Sequence, residues 1–262
     1  RMKEDCWNTS IISADINYQK IIFKNFFSPS KCIYSNNNLD NEFEPHQSGG
    51  RIIDFNENNI LFSLGEYRSR YLAQDKNSVN GNIIKINIDT KNYENVSIGH
   101  RNPQGLYFDK LNNFILETEH GPMGGDEINL INLNSLNENL PNFGWPISSK
   151  GEHYGGKQAI NDKKYEKYPL YKSHKKHGFN EPLISFVPSI GISEISKIKN
   201  KNYVVSSLKD KSLYFFELNE NNKLINLKKV KIYERIRDLL VKKNKIYLFL
   251  EDSPSIAILS DF

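Results

Sequence analysis

The sequence has little of what marks several large classes of protein. Two cysteines in 262 residues exclude a disulfide-rich scaffold and a zinc site made of cysteine alone. Cys6 and Cys32 allow one disulfide or none, and their spacing does not choose between the two. The longest apolar runs, such as residues 245–250, fall far short of the ~20 residues that a membrane-spanning helix needs. The balance of 35 basic and 31 acidic residues gives a net charge of only +4, and the lysines are scattered, so no nucleic-acid partner is indicated.

Most of the sequence consists of short residue patterns that are typical of β-strands. β-Branched and aromatic residues alternate with polar ones, and clusters of Asn, Asp, Gly and Lys separate the runs. Fifteen Phe and fourteen Tyr need a folded interior, which excludes disorder throughout the chain. Long helical periodicity is absent. The sequence therefore predicts an all-β protein.

A weak internal repeat refines this prediction. Each unit is a tight hairpin followed by one more strand, and the units are spaced by roughly 45–90 residues, which is typical of propeller blades. The four units are residues 51–65 with 83–88, 105–118 with 128–133, 194–207 with 213–218, and 237–250 with 255–259. The alternative is a β-sandwich with chance similarity between its hairpins. We predict one β-propeller domain over residues 1–262, with a long loop excursion at about 145–188.

Two polar loops lie just before strands of this repeat. In residues 46–51 (HQSGGR), His46 stands in a glycine-flanked loop where its imidazole can act as a general base near neutral pH. In residues 99–105 (GHRNPQG), Arg101 and Asn102 can bind an oxyanion or a quinone oxygen. Each loop is equally compatible with an ordinary turn whose side chains cap backbone groups.

Two further loops carry metal-ligand and anion-binding groups. Residues 119–127 (EHGPMGGDE) follow a strand and offer free carbonyl and carboxylate oxygens, which Ca²⁺ prefers, although the spacing is not that of an EF-hand. Residues 234–238 (ERIRD) place Arg235 and Arg237 on one strand face and Ile236 on the other. Two adjacent guanidinium groups favour an anion between them, with Lys209 as a third cation; alternatively they are surface arginines paired with local acids.

Taken in chain order, these clusters resemble the quinoprotein sugar dehydrogenases, that is, soluble glucose dehydrogenase, aldose sugar dehydrogenase and the glucose/sorbosone dehydrogenase-like family. The resemblance runs from about Asn8 to the C-terminus. It rests on residues 46–51, 99–108, 119–131, 142–146, 207–209 and 234–238. It implies a six-bladed type of propeller, with about four to five blades in this chain, that binds pyrroloquinoline quinone (PQQ) and Ca²⁺ at the channel mouth.

The same resemblance assigns roles to individual residues. His46 would be the catalytic base, and Arg101 and Asn102 would contact the quinone carbonyls, with Arg101 also stabilising charge in catalysis. The backbone carbonyls of Gly121 and Pro122 would hold the catalytic Ca²⁺. The remaining assignments are the cofactor-binding residues Lys209, Arg235, Arg237 and Glu66, and Glu127 as a carboxylate of a second, structural Ca²⁺ site.

The sequence departs from the family pattern in three places. Pro45 stands where glucose-oxidising members have Asp before the base, and Glu66 replaces a shorter Asp. Fewer residues precede His46 than in full-length members, so the early blade or blades are expected to be missing.

The resemblance implies oxidation of an aldose at its anomeric carbon to a lactone, with hydride transfer to PQQ and an external electron acceptor. Family members are usually exported, so a periplasmic or secreted location is expected although no signal-peptide pattern is visible at the start of the chain. Two alternatives remain: a catalytically inactive propeller that binds a ligand or partner, and a Ca²⁺-dependent lactonase-type hydrolase.

Overall fold

Antiparallel β-sheets account for the ordered secondary structure of the chain. The computed structural model describes residues 4–135, 139–154 and 166–260, and no α-helix occurs in these ranges. The 3₁₀ turns are Arg70–Gln74, Leu133–Ser135 and Lys175–His177. No helix in the described ranges is long and apolar enough to cross a membrane.

Three sheets have four strands and one has three, each in sequential up-and-down order. The first contains β5 (Gly49–Asn56), β6 (Asn59–Leu64), β7 (Asn82–Asn87) and β8 (Tyr93–Ser97). The second contains β9 (Pro103–Asp109), β10 (Phe114–Glu119), β11 (Asp126–Asn132) and β12 (Ile184–Phe186). The third contains β13 (Ile192–Lys199), β14 (Asn202–Ser207), β15 (Ser212–Leu218) and β16 (Leu224–Lys231). The fourth contains β17 (Ile236–Lys242), β18 (Lys245–Leu250) and β19 (Ser255–Ser260).

Two small two-stranded sheets precede these sheets. β1 (Cys6–Trp7) pairs with β4 (Ile33–Tyr34), and β2 (Ile11–Ser13) pairs with β3 (Lys24–Phe27). Cys6 and Cys32 form a disulfide with a Cα–Cα distance of 5.5 Å, so of the two alternatives open at the sequence level the structure has the bonded one. The β2–β3 hairpin covers the first sheet, because Ile11 and Phe27 pack against Phe62 and Ile84.

The sheets stack face to face around a common axis. One apolar cluster joins each consecutive pair: Leu61 and Ile115 belong to the cluster between the first and second sheets, and Val204 and Ile246 to the one between the third and fourth. The innermost strands β5, β9, β13 and β17 lie side by side in that order. This is β-propeller architecture, and the fold prediction is confirmed.

The repeat predicted three of the four strands of a blade. The predicted hairpins and third strands lie within a few residues of the observed ones, because alternating apolar residues and Asn-rich turns specify them locally. Asn56 illustrates the turns: its Oδ1 accepts the backbone N–H of Asn58 at 3.1 Å. The outer strands were not predicted, because they are edge strands; β16, for example, is exposed along almost its whole length.

The predicted excursion at 145–188 holds the short outer strand β12 and a 3₁₀ turn. Residues 155–165 of this excursion lie outside the described residues.

A charged network crosses the channel between the innermost strands. Arg51 on β5 contacts Glu194 on β13 (Nη2–Oε2 2.5 Å) and Asp238 on β17 (Nη1–Oδ2 3.0 Å). Two carboxyl groups thus share one guanidinium group. Burial raises the pKa of Glu194 to about 8, with a further contribution from Asp238, although the charge of Arg51 opposes it. Glu194 therefore keeps its proton to a higher pH than an ordinary glutamate, so that Arg51 need not balance two negative charges by itself.

This network makes folding stability depend on pH. Because the pKa of Glu194 is higher in the folded than in the unfolded chain, its contribution is present in acid and is lost as the pH rises towards 8. We expect the free energy of unfolding to fall between about pH 5 and pH 8, by at most about 1.4 kcal/mol per pH unit for this group. Glu194→Gln should make the profile shallower in urea unfolding at several pH values. Parallel profiles for the two proteins would contradict the assignment.

Candidate functional site

The loops at one end of the channel surround a single cleft of about 900 Å³. The four motifs that the sequence singled out all contribute to it, although they belong to three different sheets, the first, the second and the fourth. The predicted site residues that line it are His46, Arg101, Asn102, Gly121, Pro122, Lys209, Arg235 and Arg237. Glu66 and Glu127 do not line the cleft.

His46 stands at the rim, with 91% of its side chain exposed. Its Nδ1 lies 2.5 Å from Glu44 Oε1. Burial alone would raise the pKa of Glu44, but hydrogen bonds from His46 and the positive charges of His46 and Arg68 outweigh it and lower this pKa. An ionised carboxylate at this distance favours the tautomer of the neutral imidazole that carries its proton on Nδ1, with Nε2 unprotonated.

Asn102 connects the loop of His46 to the neighbouring blade. Its Oδ1 accepts the backbone N–H of Gly49 at 3.2 Å, and its Nδ2 donates to the His46 carbonyl at 3.4 Å. Gly49 has φ +63°, and a Cβ there would meet the backbone of Gly65 at 2.7 Å, so only glycine fits this turn. Asn102, which the resemblance assigns to quinone binding, thus also positions the loop of His46, the predicted base.

Arg101 is almost fully buried beneath the cleft. Its Nη1 donates to the His120 carbonyl at 2.9 Å, and its guanidinium group lies 5.5 Å from the ring centre of Trp145. Gln47 bridges it to Glu66: the Gln47 amide donates to Glu66 Oε1 and accepts from Arg101 Nη2, both at 2.8 Å. The geometry fixes the guanidinium group at the cleft floor.

Glu66 therefore lies behind Arg101. Its side chain is completely buried, and its Oε2 has no hydrogen-bond partner among the described residues. Burial raises the pKa of Glu66 to about 7, although the charges of Arg101 and Arg70 oppose this. Its contact with a cofactor stays a prediction; what the structure gives is an indirect connection to the cleft through Gln47 and Arg101.

The glycine-rich loop supplies the oxygens expected for Ca²⁺. A Cβ on Gly121 would meet the Gly125 carbonyl oxygen at 2.1 Å, so the tight turn requires glycine. Asp126 holds this loop by accepting the N–H groups of Gly121 at 3.2 Å and Gly191 at 2.7 Å. The carbonyl oxygens of Gly121 and Pro122 accept no hydrogen bond from any described residue. Carbonyl oxygens are of the type that a hard cation binds, and these two would supply part of the roughly six to eight oxygens that Ca²⁺ takes.

Glu127 lies in a separate buried acidic cluster beneath the loop. Its Oε1 is 3.7 Å from His174 Nε2. Nearby, ligand atoms of His100, Glu117 and Glu119 lie within 4.8 Å of one another. Burial, followed by repulsion from Glu119, raises the pKa of both Glu117 and Glu127 well above the usual range. A Ca²⁺ ion held by Glu127 stays a prediction.

The cationic side of the cleft comes from the third and fourth sheets. Ile236 is completely buried, whereas Arg235 and Arg237 are 36% and 53% exposed on the opposite strand face, as period two predicts. Both guanidinium groups contact Glu251, at 3.4 Å from Arg235 and 2.6 Å from Arg237. The side chain of Lys209 contacts no charged or hydrogen-bonding group in the described ranges. This donor set suits a ligand with several carboxylates, with Glu251 as an internal competitor.

The lining residues that were not selected from the sequence include His120, Arg68 and Tyr154. His120 is partly buried and its Nε2 lies 2.6 Å from the Ile192 carbonyl, and desolvation lowers its pKa although the charge of Asp126 opposes this. Arg68 follows β6, and its guanidinium group lies 5.1 Å from the ring centre of Tyr154. His120 could have been found in the motif at 119–127. Arg68 and Tyr154 carry no motif, so only the tertiary structure places them here.

Consecutive antiparallel blades around a channel, with a cationic, carbonyl-lined cleft at one channel mouth, define a β-propeller. The family description for glucose/sorbosone dehydrogenases matches residues 8–260, and the chain belongs to this family. This confirms the resemblance inferred from the sequence.

Three known proteins illustrate the similarity. The aldose sugar dehydrogenase YliI of Escherichia coli K12 is 27% identical over 191 residues, which are 65% of this chain and 47% of the relative. A crystal structure of a glucose dehydrogenase has a TM-score of 0.69 and 25% identity, covering 90% of this chain and 67% of its own. The PQQ-bound aldose sugar dehydrogenase of Streptomyces coelicolor shares the fold, with a TM-score of 0.57, 22% identity and coverage of 77% and 55%. The chain spans about half the length of the curated relatives that it matches over most of its own.

Proposed function

We propose that this chain oxidises an aldose at its anomeric carbon to the lactone, with PQQ as bound electron acceptor and Ca²⁺ beside it. The observation that carries the proposal is the convergence in one cleft of His46, the free carbonyls of Gly121 and Pro122, and the cations Lys209, Arg235 and Arg237. The E. coli relative is named an aldose sugar dehydrogenase, and a structure of the same fold contains PQQ.

The chain's own residues can perform the proton transfer. The Glu44 carboxylate orients the imidazole, and His46 Nε2 takes the proton of the anomeric hydroxyl group. Arg101, fixed at the cleft floor, stabilises negative charge that develops on a nearby oxygen. When bound, PQQ supplies the acceptor for the hydride that leaves the anomeric carbon, and Ca²⁺ polarises its carbonyl.

The cofactor would be held from two sides. Lys209, Arg235 and Arg237 would bind its carboxylates, Arg101 and Asn102 its quinone oxygens, and the carbonyls of Gly121 and Pro122 the Ca²⁺. Glu66 would act through Gln47 and Arg101, since the Gln47 amide oxygen lies 2.8 Å from Arg101 Nη2.

The proposal also includes an external electron acceptor and an exported location. The Cys6–Cys32 disulfide supports an exported location, because such bonds persist in oxidising compartments.

A second candidate is an inactive propeller that binds a ligand or a partner. The ion pairs of Glu251 with Arg235 and Arg237 favour it, because an internal carboxylate already neutralises part of the cofactor-binding charge. A metal-dependent lactonase is less well supported, since the only carboxylates that line the cleft in the described residues are Glu44 and Asp126, and Asp126 already accepts three backbone N–H groups.

The deciding experiment is titration of the purified chain with PQQ in the presence of Ca²⁺, followed by an aldose panel with an artificial electron-accepting dye. Saturable PQQ binding with sugar-dependent dye reduction is expected. Binding without turnover would favour the inactive propeller. Absence of PQQ binding would contradict the proposal.

A further inference from the structure

The turn that carries Arg68 is strained in a way that glycine would relieve. Tyr67 and Arg68 have φ values of +54° and +64°, a region that costs a residue with a side chain about 1–2 kcal/mol. Tyr67 is fixed there, because its hydroxyl group lies 2.5 Å from Thr9 Oγ1 and its ring stacks on Phe43. Arg68 has no comparable contact. Its side chain therefore needs another reason to occupy this position.

Arg68 also differs from the other described arginines in its polar partners. Arg51, Arg70, Arg235 and Arg237 each form an ion pair with a carboxylate. Arg101 has no ion pair with a described residue, but its Nη1 donates to the His120 carbonyl at 2.9 Å. The Arg68 guanidinium group forms no ion pair or hydrogen bond with any residue in 4–135, 139–154 and 166–260. Glu44, a carboxylate that lines the same cleft, already binds His46 at 2.5 Å.

Arg68 lies on the substrate side of the cleft. It follows β6, whereas His46 precedes β5, so both belong to the first sheet, and the cations proposed for the cofactor belong to the third and fourth. Tyr154, half-exposed, is close to both Arg68 and Arg101, since its ring centre lies 5.1 Å and 5.8 Å from their guanidinium carbons. An aromatic face beside a free guanidinium fork can pack against a sugar ring and bind an anionic substituent of that ring at two points.

We propose that Arg68 and Tyr154 form a subsite for an anionic group on the aldose, so that this chain prefers sugars bearing a carboxylate or a phosphate over neutral sugars. The inference rests on the proposed function, since His46 fixes where the anomeric carbon lies. Arg68 lines the same cleft as His46, so an aldose whose anomeric carbon lies at His46 would meet the Arg68 side chain through another of its substituents.

The test compares glucuronate, glucose 6-phosphate and glucose as substrates of the PQQ- and Ca²⁺-loaded protein. We expect kcat/KM for at least one anionic sugar to exceed that for glucose about tenfold or more. Arg68→Gly should reduce this preference roughly 10- to 100-fold without lowering Tm, because glycine accepts the positive φ. Arg68→Lys should retain part of the preference, since it keeps the charge but loses the planar fork. Lys228→Gln, an exposed lysine on β16, is the control for net charge.

Calorimetric titration of the same sugars into the unloaded chain separates this inference from the proposed function. We expect the anionic sugar to bind more tightly than glucose, and Arg68→Gly to abolish the difference. An active enzyme without anionic preference, or a variant that keeps the preference, would overturn the inference. If no aldose is oxidised, the proposed function fails, and calorimetry alone then decides the role of Arg68.

Discussion

Replacement of His46 by Ala is expected to lower sugar-dependent dye reduction by about 10²–10⁴-fold while PQQ binding is retained. The imidazole lies at the rim of the cleft with its Nδ1 2.5 Å from the carboxylate of Glu44, which leaves Nε2 as the nitrogen that would accept the proton. Because His46 is 91% exposed, its removal leaves no cavity and should not change Tm. The measurement is steady-state turnover together with PQQ affinity.

Two variants sharpen this experiment. His177→Ala removes another exposed imidazole, outside the cleft, and should leave turnover unchanged. Glu44→Gln should lower turnover less than His46→Ala does, because the hydrogen bond can remain while the charge that stabilises the imidazolium is lost. Wild-type turnover in His46→Ala would remove this residue from the mechanism.

Replacement of both Arg235 and Arg237 by Ala is expected to weaken PQQ binding by about 2–4 kcal/mol, a factor of roughly 30 to 1,000 in Kd. The range allows for solvent screening, since the two side chains are 36% and 53% exposed. For the same reason the affinity of the wild-type protein should fall as salt is added. Lys242→Ala with Lys243→Ala is the matched control, because it removes equal charge from the same strand region outside the cleft.

Glu251 is expected to influence how strongly Arg235 and Arg237 bind PQQ. Its carboxylate contacts both guanidinium groups, so a ligand carboxylate must displace it or share them. Glu251→Gln should therefore tighten PQQ binding, by up to about tenfold, as measured by calorimetry at low salt. Weaker binding in this variant, or unchanged binding in the double arginine variant, would show that the pair is surface charge neutralised within the protein.

Much of the fold could be predicted because its determinants are local. The alternating apolar residues of β6 or β18 and the Asn-rich turns beside them specify hairpins without reference to the rest of the chain. The outer strands lack this alternation of apolar and polar residues, because an edge strand such as β16 buries little apolar surface. The sequence does not determine whether Cys6 and Cys32 form a disulfide, for a related reason. Pairing depends on the distance between the two Cα atoms, here 5.5 Å, and spacing along the chain does not determine that distance.

The sequence by itself determined which residue types are available at the strand ends: an exposed imidazole, a glycine-rich turn and a run with two arginines on one strand face. Only the tertiary structure decided that these loops share one cleft, that Glu251 rather than Glu234 or Asp238 pairs with the two arginines, and that Arg68 lines this cleft without an ion pair to any described residue. The physical reason is that hairpin formation depends on neighbours in sequence, whereas ion pairs and burial depend on how separate blades stack around the axis.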